Sequence, residues 1–215
     1  VIDIPYASSG KVKSKEDAQS LATLFEIVGH ELGMVVKAFA TDGDAPIGRG
    51  IGPALEVRDV LQVLEHSPDA PSDLLEKSLF YASQILALDE KVGSIEAGRQ
   101  RALALLASGA ARQALERIVD KQGRQPAYDF SAVTREAICA TTAGTISRID
   151  GFVISGIARM AGAPADRTAG VDLLKTAGEQ VYAGEILYYV QASDPAQLAL
   201  AVQAAKIDSG YRVNE

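Results

Sequence analysis

The periodicity of apolar and polar positions along this chain predicts strand and helix alternating at the start, helices in the middle and a mixed end. Val1 to Ile4 has the apolar character of a core strand and runs into Pro5 and the small polar loop Tyr6 to Gly10. Ser14 is placed to cap a helix, with Asp17 three residues on. Ala18, Leu21, Leu24, Phe25, Val28 and Leu32 then recur at helical spacing and are expected to face inward until Gly33 ends the helix. Met34 to Ala40 reads as a largely buried strand. Pro53 to about His66 reads as a helix with Ala54, Leu55, Val57, Leu61 and Leu64 inward. The order βαβα predicts a parallel sheet, whose strand-end loops Tyr6 to Lys13 and Thr41 to Gly52 share one edge.

From Ser67 to Gln122 the pattern is helical throughout, over Ser72 to Leu88, Ile95 to Leu106 and Ala111 to Lys121, and is expected to be scaffold. Gly123 to Ala127 is polar and rich in turn formers, which divides the chain into residues 1–122, a connector at 123–127 and a second module at 128–215. In that module short strands are expected at Glu136 to Ala140, Gly144 to Asp150, Val171 to Leu174 and Glu185 to Gln191. Helices are expected at Val153 to Ala161 and Pro195 to Ala205, with a short tail at Tyr211 to Val213. The fold class is therefore α/β followed by a small α+β unit.

Chemistry is expected at Asp42 to Asp59, where a strand opens into a loop with Gly48, Gly50 and Gly52 before Pro53 starts a helix. Such a loop either offers its amides or carbonyls to an ion or ligand, or simply makes a tight turn; the Lys-Ser/Thr pair of a P-loop is absent. His30 and His66 stand near helix ends and read as solvated or capping residues, and Cys139 as a small core residue. Asp3, at a strand end, reads as structural. The segment VYAGEILYYV at Val181 to Val190 resembles the hairpin of biotinyl and lipoyl carriers, but no lysine stands at its tip.

At 47% hydrophobic residues a large core is available, and a net charge of -7 lacks the basic footprint of a nucleic-acid binder. No apolar run approaches the ~20 residues of a membrane span. One cysteine cannot make an internal disulfide, and with two histidines it cannot make a standard zinc site. The cytoplasm is the expected compartment. The opening Val1-Ile2-Asp3-Ile4 has strand character at once, and further chain is expected upstream of it.

Four segments in order, VIDIP at Val1 to Pro5, PIGRGIGPALEVRDVLQVL at Pro46 to Leu64, IDGFVISGIARMAGAPADRTAG at Ile149 to Gly170 and GEQVYAGEILYYVQA at Gly178 to Ala192, carry a family resemblance across essentially the whole chain. The chain resembles the C-terminal half of the thymidine/pyrimidine-nucleoside phosphorylases, more closely the branch with AMP phosphorylases and type-2 thymidine phosphorylases. The resemblance implies the C-terminal part of a phosphorylase α/β domain, with parallel strands and a helical segment, and a small hammerhead-like α+β domain. It also implies reversible phosphorolysis, in which phosphate as co-substrate attacks the anomeric carbon of a nucleoside or nucleotide and the base leaves, without an organic cofactor. The family's phosphate loop, its base-contacting residues and its proton donor match no position here, so no catalytic residue is expected in this chain and the isolated chain is expected to be inactive. Ser9 and Lys11 match a segment bordering the base pocket, although Lys11 and Lys13 also read as solvated charges beside a helix start. A potassium ion is implied at the carbonyls of Ile47 and Gly50 and the carboxylate of Asp59; otherwise Asp59 reads as an exposed acid favoured by the helix dipole. The implied partners are the N-terminal half of the enzyme and a second copy in a homodimer or higher homo-oligomer, with neither nucleic acid nor membrane. The contrasting expectation is a non-enzymatic oligomerisation module derived from this family.

Overall fold

The computed structural model describes residues 1–214, which form two compact units. One comprises Val1–Asp44 and Ser72–Ala114, the other Ala45–Pro71 and the residues from Leu115 onward.

The first unit is built on strand β1 (Ile2–Tyr6), helix α1 (Lys15–Glu31) and strand β2 (Ala38–Asp42), with β1 and β2 parallel as the βαβ order predicts. Helices α3 (Ser72–Leu86) and α4 (Ile95–Ala107) and the start of α5 (Ala110–Gln122) complete it. The Ser14 hydroxyl accepts the Asp17 amide at 3.1 Å, and Gly33 follows the helix in the left-handed region at φ +71°. The face that α1 buries is only partly the predicted one: Ala18 is buried and Leu21 packs beside it as expected, joined by the buried Ala22 and Gly29, while Leu24, Val28 and Leu32 are 55%, 47% and 66% exposed and Phe25 is exposed too. A two-stranded sheet offers little area. The helix presses Ala18 and Ala22 against it, and at Gly29 it meets the segment that follows so closely that a Cβ would stand 2.8 Å from Val36 Cβ. The second strand begins only at Ala38, because residues 33–37 form the turn off α1, and Met34 and Val35 are exposed rather than buried. Asp3 has the expected structural role: its carboxylate accepts Thr41 Oγ1 at 2.6 Å and pairs with Lys77 Nζ at 2.8 Å, fixing α3 to the sheet.

In the second unit, strand β3 (Gly50–Ile51) leads into α2 (Pro53–Leu64), and β4 (Thr134–Cys139), β5 (Gly144–Ile149), α6 (Gly151–Met160), β6 (Gly170–Leu173), β7 (Gln180–Val181), β8 (Ile186–Ala192), α7 (Pro195–Ile207) and β9 (Tyr211–Asn214) follow. They make a four-stranded sheet in the order β3-β6-β8-β4 and a three-stranded sheet β7-β5-β9. Where these strands pair they run antiparallel. The strands β4, β5, β6 and β8 and the helices fall within a residue or two of expectation, whereas β3 and β7, of two residues each, are additions and the expected tail at Tyr211 to Val213 is the strand β9. The core lies between the sheets and α6 and α7, centred on β8, whose Tyr188 is fully buried with its hydroxyl donating to the Ser209 carbonyl at 3.0 Å. Cys139 is exposed, contrary to expectation: β4 is an edge strand, a bulge falls at Ile138/Cys139, and alternation turns Ile138 inward and the thiol out. On α2, Val57 is likewise exposed, and the charged Asp59 lies on the buried face with Val63.

Candidate functional site

The loops after β1 and β2 lie side by side in the first unit, as parallel strands require. The first is tight, with Gly10 N donating to the Ala7 carbonyl at 2.8 Å and Ala7 N to the Val12 carbonyl at 3.0 Å. The two loops are tied together where the Ser8 amide donates to Asp44 Oδ1 at 3.1 Å and Gly43 N to the Tyr6 carbonyl at 2.9 Å. Ser9 and Lys11 stand exposed at the outer turn of this pair. The exposed Lys11 can meet an anionic group of a ligand from this loop.

Gly50 and Asp59 come together in the second unit, while Ile47 stands exposed on the same loop. Gly48 takes φ +78°, which aims the next two amides at the α2 carboxylate, and Asp59 Oδ2 accepts Arg49 N and Gly50 N, both at 2.7 Å. Its Oδ1 accepts Arg58 Nε at 3.0 Å and Nη2 at 2.8 Å. The Gly52 amide donates to Glu56 Oε1 at 3.1 Å and the Ala54 amide to the Arg167 carbonyl at 3.0 Å. These four amides of the glycine loop and helix start are spent inside the protein rather than offered to a phosphate.

The same arginine continues the network. Arg58 Nη2 lies 2.9 Å from Asp172 Oδ1, Arg135 Nη2 lies 2.7 Å from Asp172 Oδ2, and Arg49 Nη2 stands 3.6 Å from Oδ1. Desolvation disfavours the Arg58 charge, but the bonds to Asp172 and Asp59 outweigh it and hold the guanidinium more firmly protonated than usual. Arg135 also lies over the Tyr189 ring, 4.6 Å from its centroid. Arg58 and Arg135 reach the wall of an open groove of about 650 Å³ that Leu61, Tyr128 and Phe130 also line.

Sequence reading by period and motif passes over Asp172, although it carries a sign: an aspartate in the middle of Gly170–Leu173, a strand buried at every position, requires cationic partners. Asp59 is 2% exposed, so it is not the solvated acid of a helix first turn. Among the described residues, no group of three or more His, Cys, Asp and Glu side chains is placed to hold a metal ion, and no helix is long and apolar enough to cross a membrane.

Residues 145–212 match the family model of the pyrimidine nucleoside phosphorylase C-terminal domain. Over 99% of its length the chain is 53% identical to a bifunctional ribose 1,5-bisphosphokinase-thymidine phosphorylase of Azorhizobium caulinodans, of which it covers 31%. A protein of the same description in Cupriavidus pinatubonensis is 52% identical over 94% of the chain and 34% of the relative. A putative thymidine phosphorylase of Rhodopseudomonas palustris is 44% identical over the whole chain and 42% of the relative. The chain thus spans between about a third and two-fifths of the length of these curated relatives.

Proposed function

We propose that this chain, whose residues 145–212 match the pyrimidine nucleoside phosphorylase C-terminal domain, is the C-terminal portion of a thymidine phosphorylase. The observation that carries the reading is identity of 53% sustained over 99% of the chain, through both units rather than the C-terminal domain alone. The reaction is glycosyl transfer: a phosphate oxygen bonds to the anomeric carbon of thymidine as its bond to the base nitrogen breaks, and the base takes up a proton to leave as thymine.

In that reaction this chain supplies a wall and a frame. The loop with Ser9 and Lys11 borders the substrate; thymidine is neutral, so Lys11 has an anionic group of the substrate to meet only where that substrate is a nucleotide such as AMP. The phosphate cradle, the groups that bear charge on the leaving base and the proton donor come from the rest of the enzyme, which accords with the internally spent amides of residues 49–54. A pair of parallel strands supports this division. Parallel sheets are normally covered on both faces and built from more than two strands, so β1 and β2 with the exposed apolar row of α1 call for further chain to complete them. We assign that cover to the remaining length of the enzyme, which works as a homodimer or larger homo-oligomer in the cytoplasm. The exposed row also favours a second reading, in which the chain is an assembly module that associates through α1 without catalysis.

Phosphate-dependent base release from thymidine and from AMP, measured on a protein in which this chain is continuous with the remaining part of the Azorhizobium caulinodans relative, tests the proposal. Thymine release that requires phosphate is expected. A folded, oligomeric product that releases no base from either compound would leave only the assembly reading.

A further inference from the structure

The family resemblance assigns a potassium ion to the carbonyls of Ile47 and Gly50 and the carboxylate of Asp59, and the surroundings of that carboxylate do not fit one. A carboxylate has about four lone-pair directions, two on each oxygen. At Asp59 all four are in use, two by the amides of Arg49 and Gly50 and two by the Arg58 guanidinium, at 2.7, 2.7, 3.0 and 2.8 Å. The amides present hydrogens to the carboxylate, so what converges there is a ring of N–H donors, the coordination of an anion. A cation with oxygen ligands needs the opposite arrangement.

The charge balance points the same way. Around the buried Asp59 and Asp172 stand three guanidinium groups, Arg49, Arg58 and Arg135, which leaves one positive charge in excess before any ion enters. Asp172 has only 5% of its side chain exposed and Asp59 only 3%, so these charges act on one another with little screening. A potassium ion at Asp59 would lie within a few ångströms of the Arg58 guanidinium and would have to displace it.

We propose that Arg58 is the resident cation of this loop: its guanidinium, bridging Asp59 and Asp172, does the charge neutralisation that the resemblance gives to potassium, and the loop at residues 46–52 holds its form without a monovalent metal ion. The side chain is covalently attached, always protonated and forked, so it joins two carboxylates 113 residues apart in the sequence with directed bonds that a spherical ion cannot make. The inference concerns the loop alone and stands whether or not the phosphorylase reading holds.

The test is the melting temperature of the unaltered protein, as the 215-residue chain and in its longer form, in potassium, sodium and tetramethylammonium chloride at equal ionic strength. A site filled at one hundred times its dissociation constant raises the melting temperature of a protein this size by about 5–10 °C. The expected result is the same temperature in all three salts for both forms, together with a thallium-205 resonance that neither form broadens. A rise specific to potassium in either form, or broadening that added potassium reverses, would overturn the proposal. The measurement uses no variant that could fail to fold, and it reads ion binding rather than turnover, so it is distinct from the test of the enzyme.

Discussion

Arg58 and Asp172, 114 residues apart in sequence, are joined by a bond of 2.9 Å that fastens α2 to the middle of β6. Asp172 is the hub, since Arg135 holds its other oxygen and the Arg49 carbonyl accepts the amide of the next residue, Leu173, at 2.8 Å. Replacing Asp172 by Asn leaves three guanidinium groups around one remaining charge. The expected cost is about 3 kcal/mol, as for a buried pair that loses one member. Urea unfolding of D172N against the unaltered chain reads it, and a loss below about 1 kcal/mol would show the network to be peripheral.

The contact of β3 with β6 requires glycine on both sides. A Cβ on Gly52 would overlap the Ala169 carbonyl and one on Gly170 the Ile51 carbonyl, at φ of +134° and +155°. A Cβ on Gly50 would stand 2.5 Å from the backbone of Leu55. Gly52→Ala and Gly170→Ala are therefore expected to destabilise by at least 2 kcal/mol, on the order of an overpacked core. Gly156, inside α6 with open space around it, is the control: G156A is expected to gain about 0.5–1 kcal/mol from helix propensity. Thermal melts of the three variants check both signs.

Asp166 ties the turn before β6 to the turn after β8, accepting Thr168 Oγ1 at 2.7 Å on one oxygen and Ser193 Oγ at 2.6 Å on the other. Burial opposes its charge, but the hydroxyls and amides of Ser193 and Thr168 prevail and hold the carboxyl down at about 2, against an ordinary 3.8. A depressed value means that the folded state favours the ionised form. Its stabilisation is complete above about pH 4 and is lost as the pH falls toward 2. The unaltered chain is expected to exceed D166N by about 1–2 kcal/mol at pH 5 and to converge with it near pH 2. Urea midpoints of both proteins across that range give the curve; a gap that widened on acidification would contradict the assignment.

The exposed row on α1 can be altered without touching the core of its unit. Leu24→Lys with Val28→Lys is expected to change the stability of the 215-residue chain by less than about 0.5 kcal/mol and to lower its self-association, read by sedimentation velocity. A large loss of stability would mean that the row packs inside the chain after all.

What the sequence discloses is mostly local. The limits of α1 are legible because Ser14 and Gly33 end it by their own chemistry, and β8 because its run of branched and aromatic residues needs burial on both faces. The orientation of α1 is only partly legible: Ala18 and Leu21 face the core as their spacing predicts, but spacing does not say that the sheet beneath is two strands wide and leaves Leu24, Val28 and Leu32 exposed. Cys139 is misread for a related reason: whether a strand lies at the sheet edge depends on partners elsewhere in the chain. The glycine loop is found by its residues, which leave open a ligand site or a tight turn. Gly48, Gly50 and Gly52 suggest a ligand, but the partners they accommodate, Asp59, Leu55 and Ala169, are the protein's own, and the strand β3 inside the loop exists only because β6 pairs with it. Ser9 and Lys11 are placed on an exposed loop by sequence and structure alike, and their part in binding substrate rests on the proposal.

The central claim is that these residues furnish a wall and a frame for phosphorolysis while the cradle for phosphate lies in the rest of the enzyme. The direct measurement is the rate of phosphate-dependent thymine release from thymidine by the 215-residue chain alone, beside that of the longer protein that contains it. No turnover above background by the chain and phosphate-dependent turnover by the longer protein is the predicted result. Turnover by the chain alone would contradict the account, because it would place a complete catalytic centre within these 215 residues.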